Sequence, residues 1–372
     1  MVGYHSPLTN SRLTGPHVHM RIVMMGTGTF AEPTFKSLLT SSHQVVGLVT
    51  QPDRSAGQER GSTRQVGEGM TAIARAGQVP VFQPESINTP EGIGWIQSTQ
   101  PDLLAVAAYG QILSRDVLAA VPGGGINVHA SLLPRYRGAA PVAWAIYHGE
   151  TTTGVTIIKM SVHLDAGDIL AQETIDIGPD ETAGELEARL AVLGARLALS
   201  VVDQVAAGNT QGIKQDKTLA TKAPKLTKEH GLIDWTRHGR EVCNQIRAMQ
   251  PWPTAYTFLS RPAPFASPPT PHAPRPLRLI VVKATWQAND SVPPSSLSPH
   301  PSLPGAAIVR PDQPDRLFVA AGGSSLVEIL ELQPAGKRRM SAAEFLRGRH
   351  LQPGDRFGPE VCASGADEAR LE

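Results

Sequence analysis

Arg21-Ile22-Val23-Met24-Met25-Gly26-Thr27-Gly28-Thr29-Phe30-Ala31 decides the fold. Arg21 to Met25 reads as a short apolar strand, Gly26 to Ala31 opens a helix predicted through Leu39, and Val45 to Thr50 is the next strand. Strand, glycine turn, helix and strand make a βαβ unit, which implies an α/β fold with a parallel sheet. Further on, Asp102 to Ala108 is a nearly continuous apolar run, as expected of a strand buried on both faces. It ends in Tyr109-Gly110, at the carboxyl edge where open α/β sheets collect ligands. The turn also satisfies G-x-G-x-x-[G/A], with Asp53 about twenty residues on, which invites a dinucleotide. Against that, Pro33 lies near the helix start and Gln51-Pro52 puts the acid in a turn past the strand, so a tight turn that stabilises the fold is the plainer reading.

The 372 residues suggest two domains and suffice for a full core. A net charge of +1 makes the chain no polycation, so any nucleic-acid affinity must come from local patches. Two cysteines, Cys243 and Cys362, exclude a disulfide framework and a cysteine-rich zinc site. No apolar run approaches the roughly 18 residues that suggest a membrane span. Residues 1–19 lack the apolar centre of a secretory signal and are nearly free of arginine; they read as a disordered extension or a start assigned too early.

Chemistry is concentrated in Gly125-Ile126-Asn127-Val128-His129-Ala130-Ser131-Leu132-Leu133-Pro134-Arg135-Tyr136-Arg137-Gly138. Ile126 and Val128 alternate with Asn127 and His129, so both polar side chains point to the same face of a strand. An amide beside an imidazole can polarise a carbonyl and move a proton at neutral pH. Pro134 pushes Leu133 out of helical angles and leaves backbone along which a ligand can lie. A third polar group arrives where the strand pattern of Val155 to Met160 breaks into Val162-His163-Leu164-Asp165-Ala166-Gly167-Asp168, a turn read as permitted by Gly167. An Asp beside a His fixes the orientation of the ring. Asn127, His129 and Asp165 then form a triad with no Ser or Cys nucleophile, which suggests group transfer to an amine of the substrate. Taken singly, each is more often ordinary hydrogen-bonding or turn chemistry.

The combination resembles the formyltransferases that use 10-formyltetrahydrofolate, whose Asn-x-His, Ser-Leu-Leu-Pro-x-x-x-Gly and distal Asp-x-Gly stand here as Asn127, His129, Ser131 to Pro134, Gly138, Asp165 and Gly167. Blocks outside these, including Thr50 to Arg54, Val106 to Gly110, Lys225 to Glu229, Ile233 to Trp235, Pro251 to Pro253 and Leu332 to Lys337, are similar to the branch that formylates initiator methionyl-tRNA. The resemblance runs from about Met20 to Pro353. It implies a Rossmann-like doubly wound domain without a nicotinamide, and 10-formyltetrahydrofolate as formyl donor. Asn127, His129 and Asp165 are implied as catalytic. Ser131, Leu132, Leu133 and Pro134 with Ala107, Tyr109, Gly110 and Ile112 would line the pterin pocket, largely through backbone groups, although Tyr109 reads equally well as a packed aromatic.

A helix predicted over Thr182 to Ala206, with apolar residues at helical spacing, a capping box at Thr182-Ala183-Gly184-Glu185 and a stop at Gly208, closes the first domain. Residues 209–255 then hold five Lys and three Arg against two Asp and two Glu, a net +4. Lys214, Lys217, Lys222, Lys225 and Lys228 form a basic track, a seat for phosphates or a solvated linker; the resemblance favours tRNA contacts at Lys222, Lys225 and Lys228. The related enzymes carry a tRNA-contacting loop with Gly-Arg-Gly-Lys-Lys where this chain has Arg54 to Arg64; Arg54 matches, and Arg60 and Arg64 are approximate substitutes. Short strands at Leu277 to Ala284, Ala306 to Val309, Leu317 to Ala320 and Leu326 to Gln333 suggest a small β-barrel, which the resemblance makes OB-like.

The expected division is therefore an extension at 1–19, a catalytic domain at 20–208, a basic linker at 209–229, a barrel at 230–358 and a tail at 359–372. Two Pro-rich interruptions, 261–276 and 291–304, are expected to be long disordered loops. The expected partners are initiator methionyl-tRNA and the folate, with no membrane and no metal, in a monomer of the bacterial cytoplasm, with an organelle matrix as the less favoured location. The alternatives are formyl transfer to a small amine (glycinamide ribonucleotide or an amino sugar), an RNA-binding module with a degenerate catalytic domain, and a metallohydrolase using His129, His163 and Asp165, which offers too few ligands at metal-site spacing.

Overall fold

The computed structural model describes residues 19–52, 67–261, 276–288, 303–310, 312–352 and 354–360. The expectations for the N-terminal extension before His19, for Asp53, Arg54, Arg60 and Arg64, for most of both Pro-rich interruptions and for the tail after Glu360 fall outside the described residues.

The chain runs β1 (Arg21–Gly26), α1 (Glu32–Leu39), β2 (Gln44–Val49), α2 (Met70–Ala76), β3 (Val81–Phe82), α3 (Pro90–Ser98), β4 (Leu103–Ala107), α4 (Arg115–Ala119) and β5 (Gly125–His129). There follow β6 (Arg137–Gly138), α5 (Pro141–Tyr147), β7 (Thr152–Lys159), β8 (Ile169–Asp176) and α6 (Ala183–Ala206). The first sheet has the order β3-β2-β1-β4-β5-β7-β8. Its first five strands pair in parallel, whereas β7 and β8 extend it as an antiparallel pair, so the sheet is mixed at one edge. A hairpin there needs no helical crossover, and its turn is the segment that carries Asp165.

The sheet is doubly wound, because alternate residues of β1 enter two cores. Ile22 and Met24 pack with Phe35 and Leu38 of α1 and Leu186 and Leu190 of α6. Val23 and Met25 pack on the other face with Ile96 of α3 and Val117 of α4. The strand order reverses between β1 and β4, which makes a crevice at their carboxyl ends. The first glycine turn borders it. A side chain on Gly26 would meet Cβ of Ala31 at 2.6 Å and the carbonyl of Ala107 at 2.8 Å, and Gly28 has φ +77. The fingerprint glycines here serve close packing and turn geometry.

The second half is built from β9 (Lys222–Ala223), α7 (Gly239–Ala248), β10 (Ala255–Ser260), β11 (Leu277–Ala288), β12 (Ala307–Arg310), β13 (Gln313–Ala321), β14 (Ser325–Pro334), β15 (Met340–Ser341), α8 (Ala342–Gly348) and β16 (Arg356–Gly358). An antiparallel sheet of order β12-β13-β14-β11-β10-β16 curls until its edges meet: the Phe357 amide donates to Gly305 at 2.7 Å and the Ala307 amide to Asp355 at 3.0 Å. The result is a nearly closed barrel, as the spaced strands predicted. Its core is continuous with that of the first domain, for Val242 and Ile246 of α7 and Val281 of β11 share one apolar cluster with Val142 of α5. Among the described residues no helix is long and apolar enough to cross a membrane.

Candidate active site

β5 delivers Asn127 and His129 one pleat apart at the carboxyl edge of the sheet, paired with Ile158 and Thr156 of β7. The loop after it is held from below by β7 and β8. Thr156 Oγ1 donates to the Ser131 carbonyl at 2.6 Å and accepts the Leu133 amide at 3.1 Å, while Gln172 Nε2 reaches the Leu133 carbonyl at 3.0 Å. Ser131, wholly buried, donates its hydroxyl to the Arg135 carbonyl at 2.7 Å. The Leu133–Pro134 peptide is cis. This bracing turns the chain so that Tyr136, at φ +61, offers its carbonyl to Nε2 of His129 at 2.9 Å.

That bond assigns the ring. A carbonyl can only accept, so Nε2 carries hydrogen and, in the neutral ring, the lone pair lies on Nδ1. Nδ1 faces Asp165 Oδ2 at 3.6 Å, with only 6% and 9% of the two side chains exposed. A proton arriving at this edge is therefore received between two acceptors. The carboxylate is itself oriented, because its Oδ2 accepts the Gly138 amide at 2.8 Å. Asn127 is half-buried, and its carboxamide has no hydrogen bond among the described residues. The structure thus brings the three polar residues of the sequence pattern together and leaves one strong donor pair uncommitted.

The backbone of Asp165 is left-handed (φ +49), so Asp165 itself takes the unusual conformation at this turn. Gly167 is required for another reason: a Cβ there would lie 1.7 Å from the Lys159 carbonyl. Gln215 fastens the turn from the linker, donating to the Asp165 carbonyl at 2.9 Å and to the Gly167 carbonyl at 2.7 Å while accepting from Arg137 Nη2 at 2.6 Å. Thr221 accepts the Tyr136 amide at 2.8 Å, and Glu150 accepts the Tyr136 hydroxyl at 2.6 Å. Desolvation, then the Glu150 carboxylate, hold that phenol well above its ordinary range. Tyr136, Gln215, Thr221 and Thr156 were not singled out from sequence. Their partners lie up to 85 residues away, and no local pattern marks them. Asp168 stands against Gly212, and His163 is exposed. Among the described residues, no three His, Cys, Asp or Glu side chains converge as a metal site would require.

Of the expected pterin-pocket residues, Gly110 (φ +84) and Ile112, 62% exposed, stand open at the end of β4. Leu132 and Pro134 are half-buried, whereas Ala107, Ser131 and Leu133 are buried. The Tyr109 ring packs into the second core, 2% exposed, with no partner for its hydroxyl among the described residues; desolvation pushes the phenol up to about 12. The ring is thus a packed aromatic, while its backbone carbonyl accepts Gln51 Nε2 at 3.2 Å. Lys222, Lys225 and Lys228 are exposed. Lys222 lies in β9, which pairs with β6 directly beside the amide that caps Asp165.

Residues 20–202 match the formyl transferase family, and residues 225–350 match the formyl transferase C-terminal domain. The chain is 41% identical over 339 residues to a methionyl-tRNA formyltransferase of Geobacter sulfurreducens, covering 91% of this chain and 97% of that protein. It is 37% identical over 338 residues to the methionyl-tRNA formyltransferase of Bacillus subtilis, covering 91% and 98%. Among solved structures it is similar to a sugar 3N-formyl transferase determined with dTDP and 5-N-formyl-THF, at TM-score 0.58 and 14% identity over 87% of this chain and all of that one. An N-formyltransferase from Helicobacter canadensis, in complex with folinic acid and dTDP-3-aminofucose, aligns at TM-score 0.57 and 15% identity, covering 83% and 98%. These two structures share the fold.

Proposed function

The chain belongs to the methionyl-tRNA formyltransferase family, and from that premise we propose how its own residues carry out the transfer of a formyl group to the amino group of methionine on initiator methionyl-tRNA. In this reading, residues 20–208 are the catalytic domain, 209–229 a basic linker and 230–358 a tRNA-binding barrel, in a monomer of the bacterial cytoplasm. 10-Formyltetrahydrofolate, when bound, supplies the formyl group on its N10. The groups available to such a donor are the exposed backbone at Gly110 and Ile112, the half-buried Leu132 and Pro134, and Asn127, whose carboxamide has no partner among the described residues.

Asn127 donates a hydrogen bond to the formyl oxygen as negative charge develops there, a contact worth most in a water-poor site. His129 and Asp165 manage the proton. The amine that forms the new C–N bond must lose one proton, and the nitrogen whose bond to the formyl carbon breaks must gain one. The Nδ1 edge of His129 against Asp165 holds that proton between the two events, while Tyr136 fixes the other ring nitrogen. His129 also lends its positive charge to the oxyanion during that interval. Lys222, Lys225 and Lys228, with Arg54, bind tRNA phosphates, a sequence-independent attraction that weakens with salt.

The observation that carries this reading is the Asp165 carboxylate, oriented by Gly138 and set 3.6 Å from Nδ1 of His129. Formyl transfer from 10-formyltetrahydrofolate to charged initiator methionyl-tRNA, measured beside free methionine and glycinamide ribonucleotide at two salt concentrations, tests it. Formylation of the tRNA alone, weakening as salt rises, is the expected result; activity only on a small amine would keep the catalytic roles and overturn those given to the linker and barrel. His129→Ala and Asp165→Asn are each expected to lower kcat at least about a hundredfold. Near-normal turnover of either variant would remove it from the mechanism.

A further inference from the structure

The outer face of the barrel carries an aromatic and cationic groove of about 330 Å³, lined by Lys228, Trp252, Pro253, Tyr256, Phe258 and Arg278. Strand alternation builds it: Ala255, Thr257 and Leu259 point into the core, so Tyr256 and Phe258 point outward. Arg278 lies directly across the ladder from Phe258, and its guanidinium sits 4.4 Å over the Tyr256 ring. The Tyr256 and Phe258 rings meet edge to face, with centroids 6.0 Å apart. Both charged lining residues are cations, and neither is in an ion pair among the described residues.

We propose that this groove holds one unpaired nucleotide of the tRNA near its aminoacylated end, with the base stacked on the aromatic and guanidinium faces and its phosphate on Lys228 and Arg278. The proposal rests on the tRNA reading above. Unpaired bases are recognised by stacking on aromatic rings and arginine planes, with nearby cations tracking the backbone. A peptide or a lipid would leave one half of this mixture unused. Position argues the same way. Lys222 is tied through β9 and β6 to the loop that caps the catalytic carboxylate. Lys228, on the same segment, lines the groove. The intervening chain spans at most about 20 Å, so a short strand of nucleic acid running along the basic track connects the two sites. Tyr256 bridges to Leu232, just past the short 3-10 turn Lys228–Gly231, which fixes the end of the track against the groove.

The test uses the full chain and initiator methionyl-tRNA. Phe258→Leu keeps apolar bulk and removes the ring; Arg278→Ala removes an exposed cation. Phe258→Leu is expected to raise KM for methionyl-tRNA between about 5- and 150-fold, the range that stacking of one base represents. Its kcat and its KM for the folate donor should stay within about twofold, and Phe258→Trp should restore the native KM. Arg278→Ala should raise the same KM and lessen its salt dependence by about one unit of log–log slope. If the native chain formylates tRNA and both variants keep the native KM, the groove has no part in binding and the proposal fails alone. A rise in the folate KM of equal size would show distortion of the fold and overturn it too. If the native chain does not formylate tRNA, the reading beneath the proposal fails instead.

Discussion

At the level of single residues, the site divides into the groups proposed to touch the reaction and the groups that aim them. Asn127, His129 and Asp165 could be proposed from the sequence because two of them share a strand period, the third precedes a glycine turn, and the combination resembles the formyltransferase pattern. The aiming groups could not. Gln215 holds the Asp165 turn and Arg137 at once, and its three partners lie across a gap of about fifty residues and more, where periodicity carries no signal. Loss of these bonds frees a turn whose Asp165 backbone is already left-handed. Gln215→Ala should therefore lower kcat by about ten- to a hundredfold, the order expected when a catalytic group drifts by up to about 1 Å. KM for either substrate should change little, which distinguishes positioning from binding. Equal loss in both constants would mean that Gln215 touches a substrate. Gly167 teaches a related lesson: the sequence marks it as a turn glycine, yet the close carbonyl of Lys159 is what admits no larger residue.

Among the elements, α6 was the most legible and also carries a hidden cost. Its capping box and its apolar stripe could be read directly, and the structure shows Thr182 and Glu185 bonding reciprocally at the start of the 24-residue helix. Glu187 does not fit the stripe. It is half-buried on this helix, and desolvation pushes its carboxyl from 4.5 up to about 6. A carboxyl with a raised folded-state pKa favours the folded chain in its protonated form, so stability is lost as pH rises from about 4.5 through about 6. Glu187→Gln should consequently raise the stability at pH 7 by up to about 2 kcal/mol and have almost no effect at pH 4. Thermal unfolding at the two pH values checks this; an equal gain at both would assign the effect to packing. By contrast α7 and β10 fall inside the expected barrel segment 230–358, but neither was predicted as an element, and it is α7 that packs against α5 of the first domain. Their apolar faces are defined by distant elements, α5, β11 and β14 for α7 and β11 and β16 for β10, rather than by a local period. The antiparallel β7–β8 pair was hidden because the apolar run of buried β7 does not disclose its direction and the half-exposed edge strand β8 carries polar residues at half its positions.

For the molecule as a whole, an α/β domain followed by a barrel could be read from the βαβ pattern and the strand spacing, but how the linker joins them could not. The segment after α6 reads as a basic tether, and its exposed lysines match that description. The same segment also reaches back into the active site: Gln215 fastens the Asp165 turn, Thr221 receives the Tyr136 amide and β9 extends β6. It therefore holds two kinds of residue that should separate in one experiment. Replacing Lys222, Lys225 and Lys228 together by Ala should raise KM for methionyl-tRNA at low salt and reduce its log–log salt slope by about two to three units, if each contacts one phosphate. Turnover at saturating tRNA should remain near native. Thr221→Val should do the converse, lowering kcat severalfold by releasing the Tyr136 backbone that orients His129 while leaving the salt slope unchanged. If the lysine variant loses kcat instead, the linker acts mainly as a brace for the catalytic loop and tRNA is held elsewhere. If the two variants separate as expected, binding of the macromolecule and alignment of the proton-handling pair are carried by neighbouring side chains of a single segment. Docking tRNA on that track would then bear directly on the geometry of the catalytic loop.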